Sequence, residues 1–326
     1  MAKINMITAL NTALHEMMET DDTVVILGED VGVNGGVFRV TDGLYDKYGR
    51  KRVIDTPIAE SAILGSAVGM AMAGLKPVVE MQFSGFSYLM MHQLEGNASR
   101  MRTRSRGRFT VPLVVRMPYG GGVRALEHHS ESKEVYWAHT AGVKVVIPSS
   151  PASAGALLKA AIQDPDPVVF MEPKRSYRSF KEAVDTADTD YAIGKARVVE
   201  QGNDITLISW GAMMRDTLKA VEQVRSQTEF SPEIIDLLTI SPLDADTIAA
   251  SVKKTGRCVV VQEAQQSFGP ASEIIAVIND QALMYLEAPV KRVTMFDVVM
   301  PLFAREQLYL PSVSDISRAI VETLNF

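Results

Sequence analysis

The chain has 326 residues, a net charge of −6 at pH 7, 47% hydrophobic and 22% charged residues, and one cysteine. That length holds two domains of ordinary size, and the acidic balance excludes nucleic acid as the main partner. A single cysteine excludes a disulfide framework and a cysteine-based metal site, and no apolar run approaches the roughly 20 residues that span a bilayer.

In chain order, Ile7, Leu10, Leu14, Met17 and Met18 recur at helical spacing. Neither a signal peptide nor an arginine-rich transit segment is present, so the chain reads as cytoplasmic and free of membrane. Short β-branched runs at 24–27, 78–81, 111–116, 144–147 and 168–171 predict buried strands. The stretches 57–74, 88–104 and 151–163 between them predict helices. Such alternation implies a parallel sheet with helices on both faces. Apolar periodicity lapses over 173–195 and then restarts, with strands predicted at 205–209, 233–236, 257–262 and 290–294. Helices are predicted at 213–228, 244–254 and 272–279. The expected architecture is α/β with two parallel-sheet domains, 1–180 and 196–326, joined by a linker over 181–195. Cys258, at the head of the run Cys258-Val259-Val260-Val261, is expected to be buried in a strand.

Sites in open parallel sheets form beyond the carboxyl ends of the strands. The segments expected there are Gly28–Gly32, Gln82–Phe86, Tyr119–Gly122 and Glu127–Glu131. With them stands Glu60, on the first turn of a helix that is otherwise apolar and rich in small residues. Thr56 is expected as its N-cap and Pro57 as its first residue, and Gly65 and Gly69 allow close packing against it. Two readings of Glu60 stand open: a carboxylate that complements the helix dipole, or a proton-relay group desolvated among Ile58, Ile63 and Leu64 with a raised pKa.

Other features carry less. Gly120-Gly121-Gly122 does not complete a dinucleotide fingerprint, because Pro118 interrupts the strand exit and no helix follows directly. His128 and His129 make a poor metal pair, since adjacent side chains are expected to point apart and no further ligand stands at suitable spacing. A titrating imidazole that handles substrate protons is the better reading of this loop, with His128 the more surface-like of the two. Lys253, Lys254 and Arg257 read as cations at a helix C-terminus.

Taken together, Leu27–Gly32, Gly35–Thr41, Arg52–Glu60, Pro112–Pro118 with Gly120–Gly122, His129–Ser132, Gly142–Val146, Ile235–Leu237, Pro242–Asp244 and Ser251–Arg257 resemble the beta subunits of 2-oxo acid dehydrogenases. These are transketolase-like thiamine diphosphate enzymes, and the similarity runs over essentially the whole length. It implies an N-terminal pyrimidine-binding domain and a C-terminal transketolase-type domain. Glu60, four residues, Gly65, three residues and Gly69 match the family's glutamate-glycine fingerprint. By that resemblance Glu60 contacts N1′ of the aminopyrimidine, with Ile58, Gln82 and Phe86 beside the ring. His129 matches the histidine that serves acyl transfer to lipoamide. Glu131 stands where the family usually has glutamine, which implies a changed charge near the pocket mouth. The resemblance also implies a structural potassium ion on Leu113, Ala161, Ile162, Asp164 and Asp166.

The family holds diphosphate and Mg2+ through a Gly-Asp-Gly block followed by asparagine, and this chain has no Gly-Asp-Gly. The resemblance implies that an alpha subunit supplies that half of the site in an alpha2beta2 heterotetramer. It implies further that the assembly docks on a dihydrolipoyl acyltransferase core and acylates its lipoyl domain. Phe170–Lys174 with Tyr177 and Arg178 look closest to branched-chain members, so a branched-chain 2-oxo acid is the expected substrate, with pyruvate or acetoin as alternatives. A non-catalytic scaffold subunit is the contrasting reading; it would have no reason to keep Glu60, Gln82 and His129.

Overall fold

The structure, a computed structural model, describes residues 3–185 and 190–326. Four residues of the expected linker, 186–189, lie outside the described residues. Contacts divide the chain into two compact units, Met1–Tyr119 with Tyr136–Ile193, and Gly120–Val135 with Gly194–Phe326.

The first unit opens with a two-residue strand β1 (Lys3–Ile4) and helix α1 (Met6–Thr20), capped by Asn5, whose side chain accepts the Thr8 N–H at 2.9 Å. There follow β2 (Val24–Gly28), α2 (Leu44–Tyr48), β3 (Val53–Asp55), α3 (Glu60–Met72) and β4 (Lys76–Glu80). Next come α4 (Met91–Gly96), α5 (Met101–Arg104), β5 (Val114–Tyr119), α6 (Glu134–Ala138), β6 (Lys144–Val146), α7 (Pro151–Gln163), β7 (Val168–Pro173) and β8 (Glu182–Ala183). The parallel strands lie in the order β6-β7-β5-β4-β2-β3. Their sequences are nearly continuous apolar runs because both faces are covered, and all five residues of β2 are buried.

Three local expectations are corrected. Helix α3 begins at Glu60 with Ala59 as an N-cap that makes no side-chain bond. Thr56 does not cap it: its N–H donates to Gly28 O at 3.0 Å, which continues the pairing of β3 with β2, and the helix starts four residues later, out of reach of its hydroxyl. The single helix expected over 88–104 is broken into 3-10 turns at Ser84–Met90 and Ala98–Arg100 around α4 and α5. Asn97, at φ −124° and ψ −66° after Gly96, ends α4. Finally, Pro118 lies within β5, opposite Glu172 of β7.

The second unit contains β9 (Arg197–Glu200), β10 (Ile205–Ser209), α8 (Ala212–Arg225), β11 (Pro232–Asp236), β12 (Thr239–Ser241), α9 (Ala245–Thr255) and β13 (Cys258–Gln265). It closes with α10 (Pro270–Ala282), β14 (Lys291–Met295), α11 (Glu306–Tyr309) and α12 (Val313–Leu324). The sheet runs β14-β13-β10-β11-β9, with β9 antiparallel to β11. Cys258 is fully buried in β13, and burial pushes its thiol well up. No helix among the described residues is long and apolar enough to cross a membrane.

One buried charge cluster ties the first sheet together. Arg116 on β5 donates to Glu172 of β7 at 2.7 and 3.0 Å and to Glu80 of β4 at 2.7 Å, and it is 1% exposed. The Tyr177 hydroxyl donates to Glu172 at 2.5 Å. Burial raises the Glu80 carboxyl against the pull of Arg116. Arg116→Met would leave both carboxylates without their cation, so a loss of about 3–5 kcal/mol in stability is expected. Urea unfolding of the full chain measures it; a change within error would show that the cluster does not hold the strands.

Candidate active site

The strand order reverses between β2 and β4: from β2 the chain turns to β3 on one side, while β4, β5 and β7 build out on the other. Ligands in open parallel sheets bind outside the carboxyl ends of the strands at such a switch point. The ends of β2, β3 and β4 bring Glu29, Glu60 and Gln82 into this unit's candidate site. At Gly28 a Cβ would meet Glu80 O at 2.7 Å, so only glycine lets β2 leave the sheet so close to β4. The loop beyond is pinned by Asp55 of β3, whose carboxylate accepts the N–H groups of Gly32 at 2.6 Å and Val33 at 3.3 Å.

Glu60 is 5% exposed, packed with buried Ile63 and Leu64, and its carboxylate makes no hydrogen bond or ion pair among the described residues. Thr56 Oγ1 is also buried without a hydrogen-bond partner. Glu29 is buried beside it, and its carboxyl is raised by burial and by the negative charges of Glu60 and Asp30. The Gln82 amide donates to Asp30 at 3.2 Å, and Asp30 holds a left-handed backbone at φ 58°. Ile58 does not help to bury Glu60: it is 84% exposed, an apolar surface with nothing of this unit over it.

Phe86 belongs to an aromatic wall that spacing did not reveal. Its ring meets Phe83 edge-on at 5.8 Å, Phe83 meets Phe38 at 5.6 Å, and Phe38 meets Tyr177 at 5.1 Å. Lys174 Nζ sits 5.4 Å from the Phe83 ring centre. Within this chain little packs on the two glycines of α3. A Cβ at Gly65 would make ordinary contact with Gln93 at 3.5 Å, and at Gly69 it would meet nothing within 4 Å.

His129 belongs to the second unit, within Gly120–Val135. It ends a 3-10 turn, Glu127–His129, and its N–H donates to Leu126 O at 3.0 Å. The expectation that adjacent histidine side chains point apart fails here, because the tight turn brings the two rings to 4.2 Å. His128 Nδ1 lies 3.6 Å from Glu127. Glu131 is paired with Lys133 at 3.5 Å, which balances the charge that replaces the usual glutamine.

A cationic or N–H-bearing group fits the switch-point site better than an anion: three carboxylates, Glu29, Asp30 and Glu60, stand there with no ion pair to a cation among the described residues. The buried, unpartnered Glu60 carboxylate is the acceptor that a ring nitrogen needs. At the expected potassium set, both carboxylates already face cations. Lys144 donates to Asp164 at 2.7 and 2.6 Å, and Arg102 bridges Asp166 at 2.8 and 3.1 Å. The carbonyls of Leu113 and Ala161 accept the N–H groups of Val168 and Asp164. No group of three or more His, Cys, Asp or Glu among the described residues could hold a metal ion.

Comparison with known proteins places the fold in a family. Residues 2–179 match the family model "Transketolase, pyrimidine binding domain", and residues 194–316 match "Transketolase, C-terminal domain". A solved structure described as "Split gene transketolase, inactive beta4 tetramer" superposes with a TM-score of 0.76 over 99% of both chains at 21% identity, a likeness of fold. The chain therefore belongs to the transketolase-like, thiamine diphosphate-dependent enzymes and, by curated relatives 53% and 47% identical over nearly all of both chains, to the beta subunits of 2-oxo acid dehydrogenases. The curated relatives include the "Pyruvate dehydrogenase E1 component subunit beta" of Acholeplasma laidlawii, 53% identical over 98% of both chains, and that of Bacillus subtilis, 47% identical over all of both.

The loop that carries His129 runs into Glu134, which is fully buried and accepts the Trp210 Nε1–H at 3.3 Å while its other oxygen has no partner. Burial pushes this carboxyl up from 4.5 to about 7. A raised carboxyl favours the fold when protonated, so its contribution is complete below about pH 4.5 and is lost as pH rises through about 7, by about 3 kcal/mol. Glu134→Gln is expected to remove this part of the pH dependence, leaving the variant more stable than the parent at pH 8. Melting curves from pH 5 to 8 check it, and parallel curves would refute it.

Proposed function

We propose that this chain is the beta subunit of a pyruvate dehydrogenase, active with an alpha subunit that completes the thiamine diphosphate site. The observation that carries the proposal is Glu60: buried, unpartnered, and set at the switch point of the sheet in the unit that matches a pyrimidine-binding domain. Thiamine diphosphate, when bound, supplies the carbon nucleophile and electron sink that loss of carbon dioxide from a 2-oxo acid requires. Glu60 holds a proton at N1′ of the ring and returns it, which a desolvated carboxyl does well. Ile58 and Phe86 offer the ring apolar faces, and Gln82, oriented by Asp30, borders it. His129 handles a proton as the acyl group passes to a lipoyl sulfur. The absence of any Gly-Asp-Gly block supports assignment of the diphosphate and Mg2+ to an alpha subunit, in an alpha2beta2 assembly served by an acyltransferase core.

The substrate is corrected from the branched-chain expectation to the pyruvate alternative. The relatives at 53% and 47% identity bear the pyruvate name. The residues that pointed to a branched chain do structural work instead. Phe170, Met171 and Glu172 are fully buried in β7, and Tyr177 serves the Arg116 cluster.

Glu60→Gln, assembled with the alpha subunit, is expected to lose more than about a hundredfold in decarboxylation by a dye-linked assay, with the mass of the assembly unchanged. Full activity would refute the proton-holding role. The parent assembly is expected to prefer pyruvate to 2-oxoisovalerate by at least about tenfold in kcat/KM, the scale that a few methylene groups allow. The reverse preference would restore the branched-chain reading.

A further inference from the structure

The triple glycine has no part in the proposed chemistry, yet its surroundings in the second unit are specific. Gly120 and Gly122 hold left-handed φ values of 84° and 87°, and Arg124 holds 55°. Glu306, 1% exposed at the start of α11, accepts the Gly122 N–H on Oε1 at 2.7 Å and the Arg124 N–H on Oε2 at 2.9 Å. Glu263, 3% exposed near the end of β13, accepts the Gly121 N–H at 2.6 Å and the Ser132 hydroxyl at 3.3 Å. The Gly120 N–H donates to Glu131 O at 3.1 Å and closes the loop behind His129.

Packing fixes the two carboxylates from below. Met295, Met300, Tyr309 and Leu310 form a small buried cluster, and the Tyr309 hydroxyl donates to Phe296 O and Val298 O at 2.9 and 2.8 Å. A Cβ on Gly121 would meet Met300 Cε at 2.5 Å and Leu310 Cδ2 at 3.1 Å, and one on Gly120 would meet Glu263 Oε1 at 2.6 Å. Gly120 and Gly122 are needed for their left-handed conformation, and a side chain on Gly121 would displace the tip of Met300 and press on Leu310. Charge-assisted bonds from a buried carboxylate to backbone N–H groups are among the stronger ones available.

We propose that Glu306, seconded by Glu263, is a positioning residue: it clamps the turn Gly120–Arg124 and so fixes where the loop presents His129. The clamp rests on the geometry above; its effect on turnover rests on the acyl-transfer reading of His129. Glu306→Gln keeps the shape but turns one acceptor into an N–H donor that faces another N–H, so one bond of the pair is lost.

The test uses the assembled enzyme with an intact lipoyl domain and reads the acylation rate together with amide exchange. In the parent background, Glu306→Gln is expected to slow lipoyl acylation by about ten- to a hundredfold and to speed exchange at Gly122 and Arg124. In a His129→Ala background the same substitution is expected to cause no further loss of acylation, which general damage to the fold would not spare. Gly121→Ala, which pushes the same turn off Met300, is expected to reproduce the pattern and serves if Glu306→Gln assembles poorly. A loss as large with His129 absent as with it present overturns the proposal, as does unchanged exchange at Gly122 and Arg124. If His129→Ala alone leaves acylation intact, the reading of His129 fails, and the exchange rates still decide the clamp.

Discussion

Arg116 is the group on which the site end of the first unit depends. Its planar fork meets both oxygens of Glu172 and one of Glu80, so a single side chain fixes the ends of three neighbouring strands, β4, β5 and β7. An unpaired charge at such depth is prohibitive, so no member of the cluster can leave alone. The constraint propagates outward. Glu80 stands against Gly28 and Gly36, where Cβ atoms would meet it at 2.7 and 3.1 Å, and these glycines begin and shape the loop that carries Glu29 and Asp30. The candidate site is therefore built on the rigid part of the sheet, although it is made of loop residues.

Electrostatics then decides what such a site can accept. Among the described residues, Glu29, Asp30 and Glu60 share the switch point with neutral donors alone, Gln82 and Asn34, on Asp30. Burial, and after it the negative charges of Glu60 and Asp30, raise the Glu29 carboxyl above its ordinary range. A pocket of this sign repels phosphate and welcomes a nitrogen heterocycle that can take or share a proton. The same logic bears on the proposed division of the site between two chains. A diphosphate needs helix N-termini, backbone N–H groups and a cation, and those would work against the carboxylates if both stood on one surface.

Much of the fold was legible because buried parallel strands leave apolar runs in the sequence, as at Val24–Gly28, Ile205–Ser209 and Pro232–Asp236. Glu60 was legible as well, a lone acid in a helix of small residues. Other features had signals that misled or went unread. The Thr56-Pro57 pair looks like a helix start, but the Thr56 N–H is taken by Gly28 O. Helix α12 is announced by Ser312 and Asp315, which form a capping box, and the expected elements stop before it. The Arg116 cluster was out of reach, because its partners lie 36 and 56 residues away and a charge in a strand looks the same whether paired or exposed. The aromatic wall of Phe38, Phe83, Phe86 and Tyr177 was hidden for the same reason.

The glycine triplet shows why a motif needs its neighbours. Successive backbone N–H groups in left-handed and turn conformations form a concave donor set that binds an anion. In dinucleotide-binding folds the anion is a pyrophosphate at a helix N-terminus; here two carboxylates of the same unit, Glu263 and Glu306, occupy that role. The donors are satisfied internally, so the loop is spent on holding itself still rather than on a ligand. The Gly120 N–H closes the loop on the Glu131 carbonyl, two residues beyond His129, so both ends of the segment that carries the imidazole are tied. If His129 takes the proposed part in acyl transfer, a fixed backbone with a rotatable imidazole removes loop ordering from the cost of meeting the carrier.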